Sequence, residues 1–371
     1  VRATKREKRE TPPTPLPIAP ELLTATRNPV LNALTPSKKQ KRIPPVLLLS
    51  GPRGCGKREI AYYLSQTIQC ENGGFAETGD SLFGSLGMAP ENDDSSTPAP
   101  CGNCPSCLRA LSGQALDFRE IAALADSEVL KIDQFREIKE SQGFAGFNGS
   151  SRIFLITEAE RMNSQAANSI LKLLEEPPEG WVFLLTVSDT SLLPTTILSR
   201  CQVLRMRPLP EDVLRKLLEN EDLPKERIAV TASLGQGSLS RARELSQEKA
   251  WEMRGTLLQF LVQPQSCFHA LIDYAAAEAE HFRILLDQFE QILNDLIVSA
   301  RNPGSPYKNS DARKTLEDHT ARCIKRKGGT EPAIAFWIER SERLFKMRHE
   351  MKVLNAKILA GDFLAPWMDA V

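Results

Sequence analysis

Residues 46–58 read Val46-Leu47-Leu48-Leu49-Ser50-Gly51-Pro52-Arg53-Gly54-Cys55-Gly56-Lys57-Arg58, and this stretch decides the fold. Val46–Ser50 is a short apolar run, the pattern of a strand buried on both faces in a parallel sheet. Gly51 to Gly56 form a turn, and Glu59 through Gln69 follow with helical spacing. Strand, glycine loop and helix together match the first seven positions of G-x-x-x-x-G-K-[ST]. Glycine-rich backbone at a helix N-terminus turns N–H groups toward a phosphate, where negative charge is favoured. Gly51, Gly54 and Gly56 are the candidate cradle, and Lys57 is the candidate contact to the outer phosphates of ATP. The eighth position holds Arg58, where a working loop carries a hydroxyl for Mg²⁺. A guanidinium cannot ligate a cation.

The second Mg²⁺ partner is expected to be an Asp at the end of a later buried strand. The candidate strand is Ile153-Phe154-Leu155-Ile156, followed by Thr157-Glu158-Ala159-Glu160. Thr157 stands where that Asp is needed, although Glu158 remains. Loss of both metal partners argues against hydrolysis here and leaves metal-free ATP binding in doubt. The loop then reads as a degenerate phosphate site, a turn inherited from an ATPase.

Outward from the loop, Leu116 to Ala123, Arg152 to Thr157 and Trp181 to Val187 read as further buried strands. A helix is predicted around Ile132–Ser141. A second is predicted after Asn163, with Ala166, Ala167, Ile170, Leu171 and Leu174 at helical spacing and Pro177-Pro178 stopping it. Strands alternating with helices predict an α/β domain with a mostly parallel sheet. After Pro210 the strand signals fade. Residues 211–247 read as short helices broken at Gly235-Gln236-Gly237, and long amphipathic helices follow, interrupted by a polar loop at 301–330. The expected layout is a basic, Pro-rich disordered arm over 1–20 and an α/β domain over 21–208. A small helical domain over 209–249 and a larger all-helical domain over 250–371 follow.

The chain has 371 residues, with 47 Lys+Arg against 47 Asp+Glu. That balance excludes a uniformly basic nucleic-acid coat or an acidic solvating chain, though not local basic surfaces. No apolar run is long enough to span a membrane. The charged start, Val1-Arg2-Ala3-Thr4-Lys5-Arg6-Glu7-Lys8-Arg9, leads into prolines rather than an apolar segment, so the cytoplasm is the expected location and no membrane partner is expected. Three of the eight cysteines form C-x-x-C-x-x-C at Cys101, Cys104 and Cys107, with Cys70 upstream. In such a compartment these four thiols favour a closed structural Zn²⁺ site over disulfides. Reduced, unliganded thiols are the alternative.

Met162-Asn163-Ser164-Gln165-Ala166-Ala167-Asn168-Ser169-Ile170-Leu171-Lys172-Leu173-Leu174-Glu175-Glu176-Pro177-Pro178 resembles the signature helix of the bacterial clamp-loader branch of the AAA+ family. Pro194-Thr195-Thr196-Ile197-Leu198-Ser199-Arg200-Cys201 resembles its Ser-Arg-Cys motif, and the four cysteines resemble its zinc module, here spanning 70–107. The resemblance covers about 45–210. It implies an AAA+ α/β domain followed by a helical lid and a helical collar that mediates oligomerisation. It also implies partners: the gamma/tau and delta subunits of DNA polymerase III, the sliding clamp, and primer-template DNA through the complex. By the same resemblance Arg200 is a catalytic arginine finger offered in trans to a neighbouring ATPase subunit. In Gly237-Ser238-Leu239-Ser240-Arg241-Ala242, which resembles the sensor-2 helix, Ser240 falls at the nucleotide-reading arginine's position, with Arg241 one residue beyond. These departures resemble the family's non-hydrolysing, delta-prime-like members more than its gamma/tau ATPases, which are the alternative. A zinc-dependent nucleic-acid-binding module is a third reading. Lys325-Arg326-Lys327, in the expected polar loop, are candidate DNA contacts.

Overall fold

The computed structural model describes residues 44–72, 100–123, 129–140, 151–221, 223–350 and 354–368. The expected arm at 1–20, the segment 21–43 and nearly all of the segment 71–100 lie outside the described residues. By its internal contacts the chain divides into two compact units, the first ending at Leu209 and the second beginning at Pro210.

In the first unit, β1 (Val46–Ser50) takes the bounds of its apolar run, and α1 (Lys57–Gln69) starts at Lys57, ahead of the expected Glu59. Strands β2 (Phe118–Ile121), β3 (Arg152–Ile156) and β4 (Trp181–Val187) lie within the stretches read as strands. Helices α2 (Pro105–Leu111), α3 (Ile132–Glu140), α4 (Ser164–Glu175) and α5 (Thr195–Leu198) surround them. Asn163 caps α4, its side-chain oxygen accepting from the Ala166 N–H at 2.8 Å. A further strand, β5 (Gln202–Arg205), completes a five-stranded sheet in the order β2-β3-β4-β1-β5, parallel at every pairing. Neither α2 nor β5 has an apolar pattern that announces it.

Side chains alternate across a strand, so the apolar runs of β1, β3 and β4 supply two cores at once. Leu48, Phe154, Ile156, Phe183 and Leu185 pack on one face with Phe135 of α3 and Ala166 and Ile170 of α4. Leu47, Leu49, Ile153, Leu155 and Leu184 pack on the other with Ile60, Ala61 and Leu64 of α1. A sheet covered by helices on both faces sets its functional loops at the carboxyl ends of its strands. The glycine loop leaves β1 at that edge.

All described elements of the second unit are helical, as the fading strand signals predict. They run α6 (Glu211–Glu219), α7 (Lys225–Leu234), α8 (Leu239–Ser246), α9 (Glu248–Phe260), α10 (Pro264–Ala277), α11 (Ala279–Arg301), α12 (Arg313–Lys327), α13 (Thr330–Glu350) and α14 (Ala356–Met368). Phe260, Phe282, Phe289, Trp337, Phe363 and Trp367 are fully buried in its main core. Gly235 to Gly237 do break the helices here, with Gln236 and Gly237 both at positive φ. The polar loop expected at 301–330 is in part a helix: α12 occupies Arg313–Lys327. Its buried face is Leu316, His319, Thr320 and Cys323, at i, i+3, i+4 and i+7, and only Leu316 among them is strongly apolar. Burial also lowers the His319 imidazole to about 4.

Candidate functional site

Gly51 follows β1 at a point where a Cβ would meet the Met206 carbonyl oxygen at 2.5 Å, so no side chain fits there. Gly56, at φ 88°, caps α1 in the left-handed region that favours glycine. The loop is therefore closed tightly enough to line up backbone N–H groups. Lys57 does not extend from it: Nζ donates to the Gly51 carbonyl at 2.6 Å and to the Pro52 carbonyl at 2.7 Å. Burial lowers the Lys57 ammonium from its ordinary range, partly countered by the Cys55 thiol and the Glu160 and Glu158 carboxylates.

Arg58 is committed elsewhere. Its Nε and Nη2 donate to the two oxygens of Glu120 at 2.6 and 2.7 Å, and the Tyr62 hydroxyl donates to Glu120 Oε2 at 2.5 Å. The carboxylate belongs to β2 and is almost fully buried, with 3% of its side chain exposed. The pair raises the Arg58 pKa, through its hydrogen bonds to Glu120, and burial raises that of Tyr62. The position after the lysine is thus a structural clamp between α1 and β2. Sequence reading missed Glu120 and Tyr62, and only the i, i+4 spacing of Arg58 and Tyr62 hints at them.

At the end of β3, the Thr157 hydroxyl donates to the Ile121 carbonyl at 3.2 Å, alongside the Thr157 N–H at 3.0 Å. Glu158, at φ 50°, pairs with Arg161 at 2.8 Å and lies 4.0 Å from Arg53 of the glycine loop. Glu160 accepts from the Ser188 N–H and hydroxyl at 3.0 and 2.5 Å, while its Oε2 is buried without a hydrogen-bond partner. The fold brings Lys57, Glu158 and Glu160 to one edge of the sheet. It supplies neither hydroxyl nor aspartate where a nucleotide-bound Mg²⁺ needs them.

Arg200 follows α5 and is held on two sides. Glu175 Oε1, at the end of α4, accepts from Nε at 2.9 Å and also from Nη2, while Nη1 donates to the Thr196 carbonyl at 2.7 Å and to Ser199 Oγ at 3.0 Å. The side chain as a whole is about one-third exposed, at 31%. Cys201 is packed: its thiol donates to the Ile197 carbonyl, and burial pushes it up to about 11.

Cys70, Cys101, Cys104 and Cys107 come together with all four sulfurs within 4.8 Å of one another. A tetrahedral Zn²⁺ with Zn–S bonds of about 2.3 Å sets sulfurs about 3.8 Å apart, so the cluster is of the right size. The N–H groups of Cys101, Cys104 and Cys107 donate to the sulfurs of Cys70, Cys101 and Cys104 at 3.2, 3.4 and 3.4 Å, the support that thiolate ligands need. Backbone N–H groups of Asn103 and Cys104 pull the Cys101 thiol down to about 6, whereas burial raises Cys70 and Cys107. Cys104 also caps α2, whose turn carries Cys107 inward, and Glu71 fixes that turn by accepting from Ser106 Oγ at 2.6 Å. The donor set fits Zn²⁺, and Cys70, far upstream in the sequence, joins the other three.

Residues 26–210 match the family model described as DNA polymerase III, delta subunit. The chain belongs to the bacterial clamp-loader AAA+ family. It is 32% identical over 226 residues to DNA polymerase III subunit tau of Escherichia coli, covering 59% of this chain and 31% of that protein. It is 26% identical over 272 residues to subunit tau of Bacillus subtilis, covering 71% and 44% respectively. The chain therefore spans less than half the length of these curated relatives. It is also similar to the solved gamma subunit-related protein of Thermotoga maritima, at 19% identity and TM-score 0.39, covering 87% of this chain and 94% of that one.

In this clamp-loader chain the segment read as a sensor-2 helix is α8, capped by Ser238. Ser240 is exposed. Arg241 donates to Gln236 Oε1 at 3.0 Å and lies 3.7 Å from the Asp287 carboxylate of α11, so it is engaged inside the second unit. Lys325, Arg326 and Lys327 lie in the last turn of α12, not in a loop. Cationic side chains there complement the helix dipole, and Lys327 Nζ sits 4.3 Å from the centre of the Phe336 ring. No helix among the described residues is long and apolar enough to cross a membrane.

Proposed function

We propose that this chain is a delta-prime-like, non-hydrolysing subunit of a DNA polymerase III clamp loader. In this reading it works in the cytoplasm beside gamma/tau and delta subunits, supports sliding-clamp loading on primer-template DNA, and offers Arg200 to the ATP of a neighbouring subunit. The observation that carries it is the clamp of Arg58 on Glu120, seen together with Thr157 bonded to the Ile121 carbonyl. At one of the two positions from which a P-loop enzyme holds Mg²⁺ stands a guanidinium, which cannot ligate it, and at the other a neutral threonine in place of the aspartate, its hydroxyl bonded to a backbone carbonyl.

Gly51, Gly54, Gly56 and Lys57 then form a degenerate nucleotide site, whose lysine satisfies loop carbonyls instead of phosphate. Arg200 is the catalytic group in trans: a guanidinium beside the γ-phosphate oxygens stabilises charge that grows in the transition state. Cys70, Cys101, Cys104 and Cys107 would hold Zn²⁺, which supplies local folding energy and no reaction step. The segment 209–249 serves as the lid and 250–371 as the collar. A gamma/tau-like ATPase is the second reading, and the names of the curated relatives favour it. The two altered metal positions weigh against it.

The test is reconstitution of the full complex with Arg200→Ala. Assembly by size exclusion and nucleotide affinity are expected to persist, while DNA- and clamp-stimulated turnover falls by roughly a thousand-fold per affected site, the scale of a lost arginine finger. Unchanged turnover in a correctly assembled complex would remove the finger.

A further inference from the structure

We propose that Glu175 is the positioning residue for Arg200, an inference that rests on Arg200 acting on a neighbour's ATP. A guanidinium carries five N–H donors. Here Nε and one Nη2 hydrogen go to Glu175 Oε1, and Nη1 donates to both the Thr196 carbonyl and Ser199 Oγ. That leaves one N–H, on Nη2, to offer a phosphate oxygen. A free arginine side chain has wide rotamer freedom. This one is fixed from two edges, by a carboxylate from one element and by backbone and hydroxyl oxygens from another, so its plane and its remaining donor are set before any phosphate arrives.

Glu175 itself has little freedom of placement. It ends α4, whose Ile170, Leu173 and Leu174 are buried in the sheet's core. The carboxylate therefore transmits the rigidity of the sheet to a side chain that leaves a short surface helix. The pair is partly exposed on both sides, with 31% and 45% of the side chains accessible, and such pairs contribute little to stability. Its consequence lies in preorganisation: a group held in the productive geometry avoids the ordering cost at the moment of reaction.

The experiment uses the complete chain reconstituted with the gamma/tau and delta subunits of the same organism, with Mg²⁺-ATP, clamp and primer-template DNA. Arg200→Ala, Glu175→Ala, Glu175→Gln and the double Ala variant are compared. Glu175→Ala is expected to lower kcat by roughly ten- to a hundred-fold, the scale of a misplaced catalytic group, with KM for ATP and assembly unchanged. Glu175→Gln, whose amide oxygen still accepts from Nε, recovers most of the loss. The double variant is no slower than Arg200→Ala alone, because Glu175 acts only through that arginine. Normal or raised turnover in Glu175→Ala beside a slow Arg200→Ala, or additive losses in the double variant, would overturn the role of Glu175 and leave the finger standing. Unchanged turnover in Arg200→Ala would overturn both.

Discussion

One residue, Arg58, carries most of the functional argument, and its surroundings explain why. Its side chain is 43% exposed while that of Glu120 is 3% exposed, so the two partners depend on the pair unequally. Removing the carboxylate by Glu120→Ala frees Arg58 to find water and costs about 1 kcal/mol, the scale of a lost hydrogen bond. Removing the guanidinium by Arg58→Ala strands a buried carboxylate with only the Tyr62 hydroxyl, and costs about 3 kcal/mol. Urea unfolding of the two variants checks the order, and a larger loss in Glu120→Ala would show that the pair is not the clamp described. The missing metal hydroxyl was legible in the sequence as a departure at one position. What replaced it was not, because nothing in Phe118-Arg119-Glu120-Ile121 marks Glu120 as the partner of a residue so distant in the chain.

At the scale of elements, legibility followed burial. Strands β1, β3 and β4 lie inside the sheet and are almost wholly apolar, so their bounds could be read almost to the residue. Strand β5 is an edge strand whose Gln202, Val203 and Arg205 are exposed, and it carries no such pattern. Helix α12 escaped because three of its four buried residues are His, Thr and Cys: the Thr320 hydroxyl donates to the Leu316 carbonyl within the helix, and burial keeps the His319 imidazole neutral. The cysteine cluster was legible by spacing, since C-x-x-C-x-x-C can wrap one ion, and the structure brings Cys70, already read as the fourth thiol, to the other three. The module is expected to carry one zinc per chain. Chelation or Cys104→Ser is expected to speed hydrogen exchange across 100–112 far more than in β1 or β4, because the metal supplies folding energy locally. Elemental analysis without zinc, or uniform exchange after chelation, would contradict this.

For the whole molecule, a sheet-bearing unit and an all-helical unit each hold a core of their own. Family membership follows from residues 26–210, but the distinction between an ATPase and a non-hydrolysing subunit depends on a handful of side chains within that region. Sequence alone could name the absent hydroxyl and aspartate. The geometry adds that Lys57 is turned onto its own loop and that Arg58 and Thr157 are bonded into the fold. The most direct test of that account is steady-state Mg²⁺-ATP hydrolysis by the purified chain alone, wild type against Lys57→Ala. The account predicts no turnover above background in either protein and no difference between them. Turnover in the wild type that Lys57→Ala abolishes would contradict it.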